Sequence, residues 1–367
     1  MSESDPSAVP QARLPSLDGL RAVSIILVLG GHLQYSLPSA VYGFPLFQVF
    51  DAALGVRIFF VISGFIITYL FLREKDATGT ISISRFYLRR LIRLYPVNVA
   101  FVAFLFVLTE LTDVAISNCQ YLTALTYTKN FGCGGWMDGH LWSLAVEEQF
   151  YLCWPLAFFL SRGRGLYYVA VFFIAISPIS RALEYLSGSR LYELLTSNSD
   201  ALMIGCLLAL LCNEKIELVK RIVSWQPALC RILAVLLMYV PIALASRLLL
   251  GALTVTLGPM LQAACAGYLL ISLLLVPQGL EYLLLNTRVM RGLGLISYSL
   301  YIWQQPFLLA PPALFGSAGW LLHFPQNIVL CLGVGTFSYL MLERPFAALR
   351  ARLHPVRASS QGRKAVQ

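Results

Sequence analysis

Ten long apolar stretches, each almost free of charge, set the first constraint on this chain. They run approximately from Leu20 to Leu37, Leu54 to Leu72, Leu94 to Leu111, Leu141 to Leu160, Leu166 to Ser180, Ala201 to Cys212, Ala228 to Ala245, Thr254 to Val276, Leu295 to Leu309 and Ile328 to Leu342. An α-helix of about 20 apolar residues crosses the hydrocarbon core of a bilayer, and fewer suffice where its ends are buried in protein. Lipid offers the backbone no hydrogen-bond partners, so such stretches must satisfy their N–H and C=O groups internally, as helices. The expected fold is therefore an all-α, polytopic transmembrane helical bundle of about ten spans. Composition agrees: 58% apolar and 12% charged residues leave too little polar surface to cover a soluble globule of 367 residues.

The net charge of +9 could point to nucleic acid, but the basic residues lie in short tracts between the apolar stretches. That is the pattern of loops held on the cytoplasmic side of a membrane. Arg73, Lys75, Arg85, Arg89, Arg90 and Arg93 follow the second stretch; Arg162 and Arg164 the fourth; Lys215, Lys220 and Arg221 the sixth. Arg288 and Arg291 follow the eighth, and Arg344, Arg350, Arg352, Arg357, Arg363 and Lys364 the tenth. All five tracts fall on one side, which places both termini in the cytoplasm and implies membrane lipid, with no nucleic acid, as a partner.

The opposite side carries the longest polar loop, Thr112 to Gly139, and a shorter one, Arg181 to Ser199. The expected organisation is a cytoplasmic tail over residues 1–16, one membrane domain over 17–346 and a basic cytoplasmic tail over 347–367, with no room for a second soluble domain. The polar start of the chain lacks the charged, apolar and small-residue order of a cleaved signal peptide, so the first span is expected to be retained. The eight cysteines form no C-x-x-C pair and no cluster with histidines, so neither a metal site nor a disulfide framework is expected. Cys119 and Cys133 stand apart, because both lie in the loop placed outside, where bridged and free states are both open.

Chemistry concentrates in a few places. The first span, LDGLRAVSIILVLGGHL, sets Arg21 at its cytoplasmic mouth and His32 eleven residues on, about three turns and 16 Å deeper. An ionisable group inside lipid is costly unless it faces a polar cavity or a partner helix, so His32 is a candidate general base, with a purely structural hydrogen bond as the bland alternative. In the second span Ser63 and Gly64 interrupt an aromatic and branched run. Gly64 reads as a close helix contact and Ser63 as a possible substrate ligand. Arg90 and Arg93 share a helix face just before the third span, a spacing that suits phosphate groups as well as simple anchoring at the membrane surface.

The fourth span is the richest. His140, Ser143, Glu147 and Tyr151 recur at three- and four-residue steps and form a polar stripe, beside Trp142. Glu147 and Glu148 sit several residues inside an apolar run and need a partner, for which a histidine on a neighbouring helix would serve. The ninth span adds Ser297, Ser299 and Tyr301, with Trp303 as a possible stacking wall and Gln304 beyond it. No Walker loop, G-x-S-x-G elbow, H-E-x-x-H or G-x-G-x-x-G is present, so NTP-driven and metal-dependent chemistry are disfavoured.

Taken together, LDGLRAVSIILVLGGHL, FFVISGF, RRLIRLYP, HLWSLAVEEQFYLCWP, SYSLYIW and MLERPF resemble the acyltransferase-3 family of bacterial membrane O-acyltransferases, in the family's order and from about Leu17 to Phe346. The resemblance implies a bundle of about ten spans in the bacterial inner membrane. It would take an acyl group, most often acetyl, from cytoplasmic acyl-CoA as co-substrate, with no bound cofactor or metal. The acceptor it implies is a carbohydrate or glycolipid hydroxyl: a surface or exported polysaccharide first, then a lipo-chitooligosaccharide or another glycoside.

Carried onto this chain, the resemblance makes His32, Glu147 and Glu148 catalytic, with His32 oriented by Glu147. Arg21, Arg90 and Arg93 become the acyl-CoA ligands. Ser63, His140, Trp142, Ser143, Tyr151, Tyr301 and Gln304 are the expected substrate pocket. Two positions depart from the family. Gln304 stands where a histidine is common, which leaves it a hydrogen-bonding role, and Arg57 stands where relatives often carry a carboxylate. A transporter or flippase for a glycolipid is the competing class. The absence of a visible inverted repeat speaks against it. An acyl-enzyme through His32 or Ser63 is the mechanistic alternative to direct transfer.

Overall fold

The computed structural model describes residues 15–37, 41, 47–161, 164–188, 193–245, 251–308, 316 and 319–351. In chain order its helices are α1 (Pro15–Leu33), α2 (Ala52–Thr78), α3 (Ile83–Leu111), α4 (Asn118–Leu125), α5 (Leu141–Leu160), α6 (Gly165–Leu186), α7 (Leu195–Glu214), α8 (Ile216–Ser224), α9 (Pro227–Ala245), α10 (Gly251–Leu275), α11 (Leu280–Leu285), α12 (Arg288–Leu308), α13 (Gln326–Ser338) and α14 (Arg344–Ala351). A π-helical turn, Tyr339–Glu343, joins the last two. No strand occurs among the described residues. The expected tails lie outside the described residues apart from 15–16 and 347–351, as do Arg162 and Leu309.

Each expected apolar stretch falls largely within one long helix. Eight of these are long and apolar enough to cross a membrane: α1, α2, α3, α6, α7, α9, α10 and the continuous α13 to α14 unit. The other two, α5 and α12, are as long but carry the polar residues foreseen for the site, and most of those side chains are buried inside the bundle. Phe106, Phe159, Phe172 and Leu236 are more than half exposed on the outside. A surface of large bare apolar side chains is what lipid contact requires. The chain is an all-α, multi-pass helical bundle.

Among the boundaries that differ from expectation, two bear on the site. α1 ends at Leu33 rather than Leu37, because Gln34 and Ser36 turn their side chains back onto the carbonyls of Gly31 and Leu33. α3 begins at Ile83, about three turns before its apolar stretch, since Arg and Leu are good helix formers and carry the helix through the basic tract. Arg90 and Arg93 thus lie within a spanning helix instead of ahead of it.

α1 and α2 are antiparallel, with Gly31 packed on Ala52 and Gly55 on Ser24. The bundle therefore has a basic end, at the start of α1 and the end of α2, and a loop end, at the end of α1 and the start of α2. α2 opens with Asp51 accepting from the Leu54 N–H at 2.6 Å and closes on Gly79 at φ 77°, a conformation glycine adopts without strain. α2 and α7 pack backbone to backbone, as the small residue at Gly64 foretold. A Cβ on Gly64 would lie 1.9 Å from the Leu202 carbonyl oxygen, and one on Gly205 2.1 Å from that of Val61. Gly64→Ala is expected to push the two backbones apart and lose about 1–3 kcal/mol, read as a lower thermal midpoint in detergent.

The polar loop at the loop end is itself folded. Ser117 and Gln120 form a capping box on α4, and a disulfide joins Cys119 to Cys133. Lys129 Nζ donates to Asp138 Oδ2 at 2.6 Å in a pair whose side chains are 3% and 0% exposed, and Gln120 Nε2 donates to Asp138 Oδ1 at 3.1 Å. Glu193, in the connection before α7, also feels Lys129. Burial raises its carboxyl to about 7, against the pull of that charge.

Candidate active site

The site residues gather on α1, α2, α3, α5 and α12, around a row of three cavities. At the basic end, a cavity of about 200 Å³ is lined by Arg21, Arg93, Tyr339, Glu343 and Arg344. Arg21 and Arg93 also line the second, a narrower cavity of about 60 Å³ in the middle of the bundle, together with Ser63, Arg90, Glu147 and Tyr151. Its far wall is formed by Val56, Phe59, Ser143 and Tyr301. Val56 and, next in chain to Ser143, Trp142 line the third cavity, about 350 Å³, which opens at the loop end.

Three guanidinium groups thus meet around the central cavity. Arg90 lies over the Tyr151 ring at 4.4 Å and the Phe86 ring at 5.7 Å, which fixes a long cation against aromatic faces. Arg93 keeps its Nε buried with no hydrogen-bond partner among the described residues. Glu147 supplies the opposing charge. Its Oε1 accepts from Ser63 Oγ at 2.5 Å, and it lies in the fields of Arg90, Arg21 and Arg93. Glu148, one residue on, does not line this cavity and lies in the fields of Arg90, Tyr127 and Tyr298. Of the polar stripe on α5, Ser143, Glu147 and Tyr151 line the central cavity and His140 does not.

At the far wall the Ser143 and Tyr301 hydroxyls are 2.5 Å apart, and both reach the His140 carbonyl, at 3.2 and 3.1 Å. His140 is a tie between helices. Its Nε2 donates to the Ile302 carbonyl at 2.9 Å, its backbone N–H donates to Gln305 Oε1 at 2.8 Å, and its Nδ1 is buried without a partner among the described residues.

His32 does not pair with Glu147. Its Nδ1 is 2.7 Å from Gln304 Oε1, which accepts the ring proton and leaves the lone pair on Nε2. The reason is axial register. His32 lies at the level of His140, at the start of α5, whereas Glu147 is seven residues further along that helix, about 10 Å deeper. His32 lines none of these three cavities; Gln304 holds it one turn, about 4.5 Å, beyond Tyr301. The hydrogen-bonding role left to Gln304 is this one. The carbonyl oxygen is used and the amide nitrogen is buried without a partner among the described residues. Trp142 packs edge-on against Phe60 with ring centroids 6.2 Å apart and lines the third cavity, away from the other pocket residues.

Glu343 was missed as a site residue. It sits in the π-helical turn, where the wider backbone turn carries it inward to accept from Ser299 Oγ at 3.1 Å and to face Arg21. The signal for it was the acidic residue between apolar stretch and basic tail in MLERPF. Arg57, unexpected in its place, donates through one terminal nitrogen to Gln262 Oε1 at 2.6 Å and feels Asp51 and Asp200.

Comparison with known proteins gives a consistent picture. The model of a family described as an acyltransferase domain matches residues 14–343. The chain is 28% identical over 337 residues to the peptidoglycan O-acetyltransferase OatA of Listeria monocytogenes serovar 1/2a (strain ATCC BAA-679 / EGD-e), covering 82% of this chain and 50% of that one. It is also 28% identical over 364 residues to YrhL of Bacillus subtilis (strain 168), provisionally named a peptidoglycan O-acetyltransferase, covering 90% and 54%. The chain spans about half the length of the curated relatives it matches. No solved structure matches it.

Proposed function

Because the chain belongs to the acyltransferase-3 family, we propose that it is a membrane O-acetyltransferase that moves an acetyl group from cytoplasmic acyl-CoA to a carbohydrate hydroxyl presented at the opposite face of a bacterial inner membrane. The observation that carries this reading is the row of cavities, joined by Arg21 and Arg93 at one junction and by Val56 at the other. A donor and an acceptor can enter such a row from opposite ends and meet at its middle, which converts a two-substrate encounter into one oriented step. Relatives named for peptidoglycan O-acetylation support a carbohydrate acceptor.

In this reading the phosphates of acyl-CoA sit in the basic cavity against Arg21, Arg93 and Arg344, with Glu343 limiting the excess charge. The pantetheine arm extends past Ser63 and Glu147, and the thioester reaches the Ser143 and Tyr301 hydroxyls, which turn from the His140 carbonyl to donate to the oxygen as it gains charge. The acceptor hydroxyl arrives from the loop end, the end at which His32 stands one turn beyond Tyr301. Its proton passes to His32 Nε2, its oxygen attacks the thioester carbonyl, and CoA leaves as the thiolate. Gln304 holds the ring without adding a charge. Glu147 balances the three guanidinium groups and holds Ser63, a role in binding rather than in orienting the base.

Arg93 tests the donor side. Its unpartnered Nε is a donor waiting for an anion. Arg93→Ala is expected to raise the acyl-CoA KM by about 10- to 100-fold, the usual worth of a hydrogen bond to a charged group. Loss of acyl-CoA thermal stabilisation should accompany it. An unchanged KM and an unchanged stabilisation would place the phosphates elsewhere, and substrate movement without any need for acyl-CoA would turn the reading toward transport.

A further inference from the structure

The third cavity contains a second polar arrangement that the transfer step above does not use. It opens among the first turns of α2, α5, α7 and α10 and the last turns of α9, and its walls combine apolar surface from Trp142, Pro241 and Pro259 with Asp51, Arg57 and Gln262. Gln262 is pinned at both ends. Its Nε2 donates to the Met238 carbonyl at 2.9 Å while its Oε1 accepts from Arg57. That bond occupies one nitrogen of Arg57, whose side chain lines the cavity. Asp51 spends Oδ1 on capping α2, which leaves Oδ2 as an acceptor.

Charge narrows what this cavity takes. Arg181, also in the wall, is consumed by the protein: it donates to the carbonyls of Thr256 and Ser197 and, at 2.8 Å, to Asp200. With Arg181 cancelled by Asp200, and Arg57 facing Asp51, the described residues of the wall carry no excess of either sign. An anion would meet Asp51, and a lipid chain would strand two ionised groups. A ring with hydroxyls on its edge and C–H groups on its face satisfies every part: Asp51 accepts a hydroxyl proton, Arg57 donates to a hydroxyl or ring oxygen, and the indole of Trp142 meets the apolar face.

We propose that this cavity is the acceptor subsite and that it holds one uncharged sugar residue of the glycan, with Asp51 and Arg57 as its specificity-determining ligands. The assignment rests on the O-acetyltransferase reading. It places the sugar next to the Val56 junction, where one of its hydroxyls points toward the thioester.

The test uses the full chain in lipid nanodiscs. Binding of chitotetraose, maltotetraose and cellotetraose, as uncharged probes, is compared with that of tetragalacturonate, and stabilisation by acetyl-CoA is measured on the same preparations. At least one uncharged probe is expected to bind, and tetragalacturonate more weakly. Asp51→Asn keeps the helix cap but turns the free acceptor into a donor, so it should weaken that binding by about 10-fold or more, as should Arg57→Met, with acetyl-CoA stabilisation unchanged. Failure of all three uncharged probes, preference for tetragalacturonate, or wild-type affinity in Asp51→Asn would overturn the subsite while leaving the donor side intact. A wild-type protein that acetyl-CoA does not stabilise would instead bring down the O-acetyltransferase reading itself.

Discussion

His32→Ala is expected to lower acyl transfer by about 10²- to 10⁴-fold, the range a positioned general base contributes. The protein should remain inserted and stabilised by acyl-CoA, because His32 touches none of the residues around the phosphates. The expectation follows from where the proton of the attacking hydroxyl can go. At the loop-end side of the central cavity the candidate bases are His32 and His140. His140 is locked between α5 and α12 by its bond to Ile302, while His32 has Nδ1 fixed by Gln304 and Nε2 left as the base. A neutral amide orients the imidazole less strongly than a carboxylate would, since it adds no attraction for the protonated ring. Full activity in the His32→Ala enzyme would move the base to Glu147, whose carboxylate lines the central cavity and accepts from Ser63 at 2.5 Å.

The largest loss of stability is expected from Asp138→Ala. The variant leaves the Lys129 ammonium buried without its partner and Gln120 without an acceptor. Removing one member of a buried pair typically costs about 3–5 kcal/mol, most of it the penalty of the stranded charge. The double variant Lys129→Met with Asp138→Leu removes both charges and should recover most of that loss. A thermal midpoint for Asp138→Ala equal to that of the wild type, or a double variant worse than the single, would contradict the account.

The pH dependence has a sign. In the wild type Glu193 carries a raised carboxyl. Folding therefore opposes its ionisation, and the fold gives up some stability between the ordinary carboxylate range and about pH 7. In Asp138→Ala the uncovered Lys129 favours that ionisation, so the gap between wild type and variant narrows as the pH rises toward 7.

Local periodicity made much of this molecule legible. The ten stretches became long helices because lipid forces any apolar run of that length into one conformation. The pair Arg90 and Arg93 came out on one face because three residues make nearly a turn. The small residue Gly64 in a branched run became a close helix contact. What periodicity does not carry is the height of one helix against another. His32 and Glu147 each read correctly as buried polar groups in need of partners, yet seven residues of α5 separate their levels, and each found a nearer one, Gln304 and Ser63. Glu343 escaped notice for a related reason, since its direction depends on a π-helical turn that no 3.6-residue pattern registers.

The two polar helices, α5 and α12, also bear on how the chain is made. A segment carrying Glu147 and Glu148, or paired glutamines, partitions poorly into bare lipid on its own. The groups that face the two carboxylates of α5, Arg21 on α1, Ser63 on α2 and Arg90 and Arg93 on α3, are all translated before it. Those that satisfy the loop-end half of α12, His32 on α1 and His140 on α5, likewise precede it. Chain order thus supplies each reluctant segment with waiting neighbours as it leaves the ribosome, and a rearranged order of the same helices would ask α5 to enter the bilayer before anything could receive its carboxylates.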